Sequence, residues 1–168
     1  MMAGLPGSGK SAVAEDLARA LHCAVLSVDP VEAAMWRSGV DRDQPTGLAA
    51  YVVVEALAAD QIALGHDVVV DAVNAVEPAR DEWRQLAERS GALLRFIEVR
   101  CSDEREHRRR LETRERSLGD FREPSWESVQ ERRPGFSDWS DERLVLDSMR
   151  ARQDNLRTAL DYLAGARG

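Results

Sequence analysis

The sequence predicts an α/β fold in which a parallel β-sheet is flanked by helices. Short apolar runs alternate with longer segments of helical periodicity, which is the pattern of a parallel sheet. The run Val68-Val69-Val70, followed by Asp71, is apolar on both faces and predicts a buried strand. A glycine-rich segment, residues 4–11, separates the first apolar run from the first helix. We therefore expect one domain over residues 1–168.

The individual strands and helices follow from the periodicity and from helix-ending residues. The predicted strands are residues 1–4, 24–28, 68–71, 93–99 and 143–146. The predicted helices are residues 10–21, 47–64, 78–90, 103–116 and 149–163. Gly65 and Gly91 follow two of these helices, as glycine commonly does at a helix end. The first strand is very short, because only three residues precede Gly4.

Composition and charge limit the class of protein. The net charge is -7 over 168 residues, which disfavours a protein that binds nucleic-acid duplexes. Cys23 and Cys101 lie far apart and form no metal or redox motif, which favours a reducing, cytoplasmic location. We find neither the pattern of a signal peptide nor an unbroken apolar run of about 18 residues. We therefore expect no membrane association.

The segment Gly4-Leu5-Pro6-Gly7-Ser8-Gly9-Lys10-Ser11 matches the phosphate-loop pattern G-x-x-x-x-G-K-[ST] of P-loop NTPases. Glycines let successive backbone N–H groups turn toward an anion, and the following helix adds the positive end of its dipole. We expect Lys10 to bridge the β- and γ-phosphates of ATP and Ser11 to ligate Mg²⁺. A purely structural glycine turn is the alternative. The predicted ATP-phosphate-binding residues are Gly4, Pro6, Gly7, Ser8, Gly9, Lys10, Ser11 and Ala12.

Lys10 is also unusual in composition. Of the 23 basic residues, Lys10 is the lone lysine and the other basic residues are arginines. A genomic preference for arginine accounts for the arginines, but it leaves the lysine unexplained. A compact ammonium on a flexible stem reaches between two phosphates in a way that a planar guanidinium does not. Lys10 is therefore predicted to be a chemical requirement of the loop.

Two aspartates end predicted strands, where ligands bind in open α/β sheets. Asp71 is predicted to hold Mg²⁺ or its water shell. No glutamate follows it, which disfavours a motor ATPase that activates water; a structural role at the strand end is the alternative. Asp29 is predicted to be the general base that accepts a proton from an acceptor hydroxyl. It also precedes Pro30, which is typical of a helix N-cap, and both roles are compatible.

The predicted helix 103–116 is strongly polar and begins after Ser102, a suitable N-cap. One interpretation is a solvated surface helix. The other is a lid, spanning about residues 103–135, that covers the phosphates. Arg110 and Arg114 are four residues apart, hence on one helix face, and could stabilise charge on the transferring phosphoryl group. Arg116 is a reserve candidate for the same role.

Four segments resemble motifs of one group of kinases. Val28-Asp29-Pro30-Val31-Glu32-Ala33-Ala34-Met35 is similar to the segment that carries the catalytic aspartate in chloramphenicol phosphotransferases. Asp71-Ala72-Val73-Asn74 resembles D-A-T-N, Arg110-Leu111-Glu112-Thr113-Arg114 resembles the lid pattern R-L-x-x-R, and Leu144-Val145-Leu146-Asp147-Ser148 resembles the last strand and its turn. The chain thus resembles small P-loop kinases grouped around chloramphenicol phosphotransferase, zeta-toxin-type kinases and the polynucleotide 5′-kinase domain. The resemblance implies a five-stranded sheet of order 2-3-1-4-5 and a helical lid over ATP.

These observations together predict an ATP-dependent phosphotransferase with Mg²⁺ as cofactor. Its acceptor would be the hydroxyl of a small molecule, such as an antibiotic, a sugar or a nucleotide-sugar. The predicted acceptor-binding residues are Asp29, Trp36, Arg37 and Asn74. One alternative is a polynucleotide 5′-hydroxyl kinase, which Glu32 disfavours because polynucleotide kinases usually carry arginine there. The other is a nucleotide-binding module that does not transfer phosphate.

Overall fold

A five-stranded parallel sheet of order β2-β3-β1-β4-β5 forms the centre of the molecule. The computed structural model describes residues 1–114 and 123–165. The strands are β1 (Met2–Ala3), β2 (Ala24–Ser27), β3 (Val68–Asp71), β4 (Phe96–Arg100) and β5 (Arg143–Asp147). The helices are α1 (Lys10–Leu21), α2 (Val28–Arg37), α3 (Thr46–Ala63), α4 (Glu77–Ser90), α5 (Glu104–Thr113), α6 (Trp126–Arg132), α7 (Pro134–Ser137) and α8 (Arg152–Ala164). The predicted fold class and strand order are confirmed.

Strand β1 is only two residues long, yet it occupies the middle of the sheet. Met2 pairs with Asp71 of β3 on one side and with Ile97 of β4 on the other. Met2 and Ala3 are fully buried and belong to separate hydrophobic clusters, as expected for neighbours that point to opposite faces of a sheet. So short a strand is sufficient because it is paired on both edges and covered on both faces.

The two faces of the sheet are covered by different helices. On one face, Val13 and Leu17 of α1 and Ala159 of α8 cluster with residues of β4 and β5. The other face carries α3 and α4, followed by α6 and α7. Its core residues include Ala50, Val54, Ala58, Trp83, Leu86, Val129, Phe136 and Trp139. The phosphate-loop segment leaves the sheet between these two layers.

Helix α3 has an apolar outer surface as well as an apolar inner one. Within the described parts of the chain, α3 alone is long and apolar enough to cross a membrane by length and composition. Its Ala50, Val54 and Ala58 are buried in the core, whereas Leu48 and Val52 are exposed. The inner face of α3 is therefore used for packing within the fold.

Two predicted helix starts differ from the structure. Helix α2 begins at Val28 rather than after Asp29, because Val28 is buried and already helical. Asp29 thus lies in the first turn of α2, and Ser27 is the N-cap residue. Helix α5 is capped by Asp103, whose side chain accepts a hydrogen bond from the backbone N–H of Glu106 at 3.0 Å. Aspartate is a preferred N-cap residue, and its negative charge is favoured at the N-terminus of a helix. The expected N-cap role of Ser102 is therefore wrong.

Candidate functional site

The loop from Gly4 to Gly9 joins β1 to α1 at the carboxyl edge of the sheet. Gly4 and Gly7 have φ values of 147° and 83°, a region that strongly favours glycine. A Cβ on Gly4 would lie 2.5 Å from the carbonyl oxygen of Val99, which is closer than any side chain tolerates. A Cβ on Gly7 would lie 3.2 Å from Cβ of Leu111 on α5. The loop is therefore packed tightly between β4 below and α5 above.

The N-terminus of α1 is open to an anion. Gly9 is its N-cap residue and provides no side chain to the first-turn N–H groups. Such uncapped N–H groups, together with the helix dipole, favour a bound phosphate. Lys10 begins the helix and is 5% exposed, with its Nζ 3.7 Å from Oδ1 of Asp71. Ser11 and Ala12 follow on the exposed surface of the same turn.

Two buried polar atoms beside the loop have no hydrogen-bond partner among the described residues. They are Oγ of Ser8 and Oδ1 of Asp71, although the latter lies near the Lys10 ammonium. Unsatisfied buried groups of this kind commonly mark a ligand site. In residues 1–114 and 123–165, no three His, Cys, Asp or Glu side chains converge as a metal cluster. Mg²⁺ in nucleotide sites needs only one or two protein oxygens, so Ser11 and Asp71 fit that role.

Asp29 and Asp71 lie at the carboxyl ends of neighbouring strands. Ser27 of β2 is in register with Asp71 of β3, and Asp29 follows two residues later in the first turn of α2. Burial, with a contribution from the charge of Asp29, raises the pKa of Tyr51 on α3. The Tyr51 hydroxyl accepts a hydrogen bond from the backbone N–H of Asn74, after β3, at 3.3 Å. Tyr51 therefore lies near Asp29 and also contacts the segment that follows Asp71.

A chain of hydrogen bonds orders the connection between α2 and α3. The indole Nε1 of Trp36 donates to Oγ1 of Thr46 at 3.0 Å, and that hydroxyl donates to Oε1 of Glu32 at 2.8 Å. The guanidinium of Arg42 stacks on the Trp36 ring, 5.0 Å from its centroid. Arg37 is exposed at the end of α2. Asp29, Glu32 and Trp36 therefore form one stripe along α2.

Asn74 is held in the core, contrary to its expected contact with an acceptor. Its side chain is fully buried. Its Nδ2 donates to the carbonyl oxygen of Met2 at 2.8 Å, and its Oδ1 accepts from Nε1 of Trp83 at 3.0 Å. With a φ of 53°, Asn74 makes the sharp turn after β3 and ties it to β1. We therefore assign it a structural role and leave it out of the acceptor site.

Arg110 lies above the phosphate loop. Its Nη1 donates to Oγ of Ser148 at 2.8 Å, and its Nε donates to Oε1 of Glu106 at 2.7 Å. A Cβ on Gly9 would lie 3.9 Å from Nη1 of Arg110. The guanidinium therefore spans from the loop to the turn after β5.

Arg114 is not on the same helix face as Arg110, contrary to the prediction. Helix α5 ends at Thr113, and Arg114 has extended backbone angles with φ -67° and ψ 130°. Its side chain forms an ion pair with Glu123. Arg116, the reserve candidate, lies outside the described residues. Arg110 and Arg114 therefore do not form the single helix face that was expected.

His107 of α5 contacts the phosphate loop, and nothing in the sequence motifs pointed to it. It is 2% exposed, and its Nε2 lies 2.9 Å from the carbonyl oxygen of Pro6. Its ring meets that of Trp126 edge-to-face at 5.3 Å. The one available signal was its spacing of four residues from Leu111, the apolar residue of an otherwise polar helix.

A cavity of about 510 Å³ lies on the other side of the loop from Asp29, between α5, α7 and the ends of β4 and β5. Ser8, Glu98, Arg100 and Phe136 are among its lining residues. Neither Lys10 nor the two aspartates line it. The cavity borders the phosphate loop through Gly4 and Ser8 and does not include Asp29 or Asp71.

Solved structures of similar fold include several P-loop kinases. A sugar kinase from Janibacter sp. HTCC2649 matches with a TM-score of 0.70 and 16% identity, over 97% of this chain and 92% of that one. The Mycobacterium tuberculosis APS kinase CysC, in complex with AMPPNP and APS, matches with a TM-score of 0.69 and 18% identity, over 97% and 95%. Kti12 from Chaetomium thermophilum, in complex with ADP-AlF3, matches with a TM-score of 0.71 and 17% identity, over 98% and 96%. At these identities the likeness shows a shared fold.

Sequence comparison supplies the family. No curated protein matches the chain. The family model AAA_33, described as an AAA domain, matches residues 1–136, which include the phosphate loop, both aspartates and α5. The chain therefore belongs to the AAA_33 family of AAA domains.

Proposed function

We propose that this protein is an ATP-dependent phosphotransferase that acts on a hydroxyl group of a small molecule. One observation carries the proposal. The register of Ser27 with Asp71 brings Asp29 and the Lys10–Asp71 ion pair to the same edge of the sheet, beside the phosphate loop. A phosphate cradle with a second carboxylate just after the adjoining strand suits transfer to a hydroxyl.

On the nucleotide side, the loop binds the ATP phosphates through backbone N–H groups and the open N-terminus of α1. Lys10 leaves Asp71 and moves onto the β- and γ-phosphates. Ser11 and Asp71 are the residues that would hold Mg²⁺, which supplies charge neutralisation on the phosphate oxygens when bound. The unsatisfied Oδ1 of Asp71 supports this assignment.

On the acceptor side, Asp29 accepts the proton of the acceptor hydroxyl. As it does so, the hydroxyl oxygen bonds to the γ-phosphorus and the bond from that phosphorus to the leaving ADP oxygen breaks. Trp36, fixed by Thr46 and Glu32, offers an ordered aromatic surface beside this centre. Arg37, at the exposed end of α2, is the remaining proposed contact. A small molecule suits this arrangement better than a polynucleotide, because Glu32 adds negative charge beside Asp29.

On the lid side, the Arg110 guanidinium leaves Ser148 and contacts the nucleotide, and Arg114 reaches the transferring group from the end of α5.

We further propose a cytoplasmic location, since both Cys23 and Cys101 are free thiols. The more specific resemblance to chloramphenicol phosphotransferases and zeta-toxin-type kinases is part of the same proposal.

The test is a screen of hydroxyl-bearing metabolites and antibiotics for acceptor-dependent ADP release. The key variant is Asp29→Asn, and the matched control is Asp60→Asn, an exposed aspartate on α3. We expect Asp29→Asn to bind Mg·ATP normally but to slow transfer by about 10²- to 10⁴-fold, with the control unchanged. Transfer at the wild-type rate by Asp29→Asn would refute the base assignment. Binding of ATP with no stimulation by any small acceptor would favour a nucleotide-binding module, and stimulation only by oligonucleotides would favour a polynucleotide kinase.

A further inference from the structure

We propose that His107 is a positioning residue that holds the phosphate loop in its anion-binding conformation by fixing the Pro6 carbonyl. The inference rests on the nucleotide binding proposed above. It concerns a residue of α5 that does not touch the phosphates itself and acts through the backbone of the loop.

The contact is a directed hydrogen bond from a buried side chain. A carbonyl oxygen can only accept, so the hydrogen must be on Nε2 of His107, which donates across 2.9 Å to Pro6. Burial lowers the pKa of His107, which favours the neutral ring with this one tautomer. The edge-to-face contact with Trp126 sets the plane of the ring. His107 therefore presents a fixed donor to the loop.

The Pro6 carbonyl controls where the next amide points. In a trans peptide the C=O and the following N–H lie on opposite sides of the bond, and the described chain has no cis peptide. With the Pro6 carbonyl turned toward His107, the N–H of Gly7 points away from α5. Backbone N–H groups with fixed directions are what a phosphate-binding loop uses.

Without this contact, the peptide between Pro6 and Gly7 can rotate while the turn stays closed by the hydrogen bond from the Ser8 N–H to the Leu5 carbonyl oxygen at 3.0 Å. Gly7 adopts positive φ without a side-chain penalty, so rotation of this peptide meets little local resistance. Rotation would turn a carbonyl oxygen toward the bound phosphates and repel them. Leu111 packs on Gly7 one helical turn beyond His107, so α5 restrains the loop by packing as well as by the hydrogen bond.

The restraint also changes the expected behaviour of the lid. His107 and Leu111 attach α5 to the loop, while Arg110 on the same helix contacts Ser148 across Gly9. The helix that carries Arg110 is thus built into the phosphate site. On α5, the Arg110 side chain can therefore turn toward a nucleotide without movement of the helix itself.

The test compares two kinds of substitution at one position. His107→Phe keeps an aromatic ring against Trp126 but loses the donor, and His107→Asn is too short to reach Pro6. His107→Gln places an amide N–H close to the position of Nε2. The control for stability is Val129→Ala on α6, a fully buried residue that does not belong to the loop. Each variant is titrated with Mg·ATP and with inorganic tripolyphosphate by calorimetry, below its unfolding temperature.

We expect His107→Phe and His107→Asn to weaken both ligands about tenfold or more, since a buried carbonyl loses its partner. We expect His107→Gln to recover most of the affinity, and Val129→Ala to lower the melting temperature with no change in affinity. Wild-type affinity in the Phe and Asn variants would overturn the proposal. Weaker binding of ATP with unchanged binding of tripolyphosphate would also overturn it. His107 would then act on the adenosine part of ATP and not through the phosphate loop. The readout is affinity and not turnover, so it is independent of whether an acceptor is phosphorylated.

Discussion

Lys10 and Asp71 form a buried ion pair in which the ammonium and the carboxylate are 3.7 Å apart. Both side chains are almost completely shielded from solvent. The pair joins the phosphate loop to the end of β3, and the proposed function requires it to open when nucleotide binds. We therefore expect Lys10 and Asp71 to depend on each other for the stability of the fold. Their contributions to nucleotide binding should differ.

The first prediction concerns this coupling. Lys10→Met leaves the Asp71 carboxylate buried and uncompensated, which we expect to cost about 3 kcal/mol in the free energy of unfolding. The double variant Lys10→Met/Asp71→Asn should recover part of that loss, because both charges are gone. It should still fail to bind Mg·ATP, because the lysine is needed by the phosphates. Chemical denaturation measures the stabilities, and calorimetry measures the binding of Mg·ATP. If the double variant loses as much stability as Lys10→Met and Asp71→Asn added together, the ion pair is not formed.

The second prediction concerns the close approach at Gly4. Gly4→Ala places a Cβ against the carbonyl oxygen of Val99 and should destabilise the protein by about 2 kcal/mol or more. Gly91→Ala is the matched control, since Gly91 also has positive φ but meets no atom within 4 Å. It should cost only about 1 kcal/mol, the strain of the backbone conformation itself. Equal losses in urea denaturation would mean that β4 shifts to accommodate the methyl group.

The third prediction concerns pH. Burial holds the pKa of His107 below its usual value, a shift that the nearby charges of Arg133 and Arg110 increase and that Pro6 and Glu104 oppose. The unfolded chain therefore takes up the proton first as the pH falls through about 6.5, and the folded state loses stability toward acid. His107→Gln removes this dependence. Between pH 8 and 5.5, the melting temperature of the wild type should fall relative to that of the variant, whereas parallel curves would show that His107 titrates normally.

The fourth prediction concerns Arg110. Its removal as Arg110→Ala should lower kcat of the proposed transfer by about 10²- to 10³-fold, because charge on the transferring group loses a fixed partner. Arg108→Ala is the control on the same helix, since Arg108 is exposed and forms an ion pair with Glu112. Its kinetics should match the wild type. A defect of equal size in both variants would point to the fold of α5 rather than to the Arg110 guanidinium.

The architecture and the phosphate loop could be predicted from residue patterns alone. Alternating apolar runs and helical segments predicted five parallel strands, because periodicity and strand burial are local properties. The loop around Lys10 was readable for the same reason, since its chemistry depends on residue types at fixed spacing. Element boundaries were less well predicted. The ends of α2 and α5 depend on how Val28 packs in the core and on where the chain turns after Thr113, and neither is encoded locally.

Which polar side chains face the site depends on packing between distant segments of the chain. Asn74 lies in a segment that resembles a kinase motif, yet its amide is consumed by Met2 and Trp83 in the core. His107 lies on a polar helix and outside every motif singled out in the sequence, yet it reaches Pro6, 101 positions earlier in the chain. Hydrogen bonds between distant residues form only when packing brings buried donors and acceptors together. The periodicity of apolar residues in the sequence does not predict such pairs. The sequence therefore specified the loop that would bind phosphate, and the fold specified what holds that loop in shape.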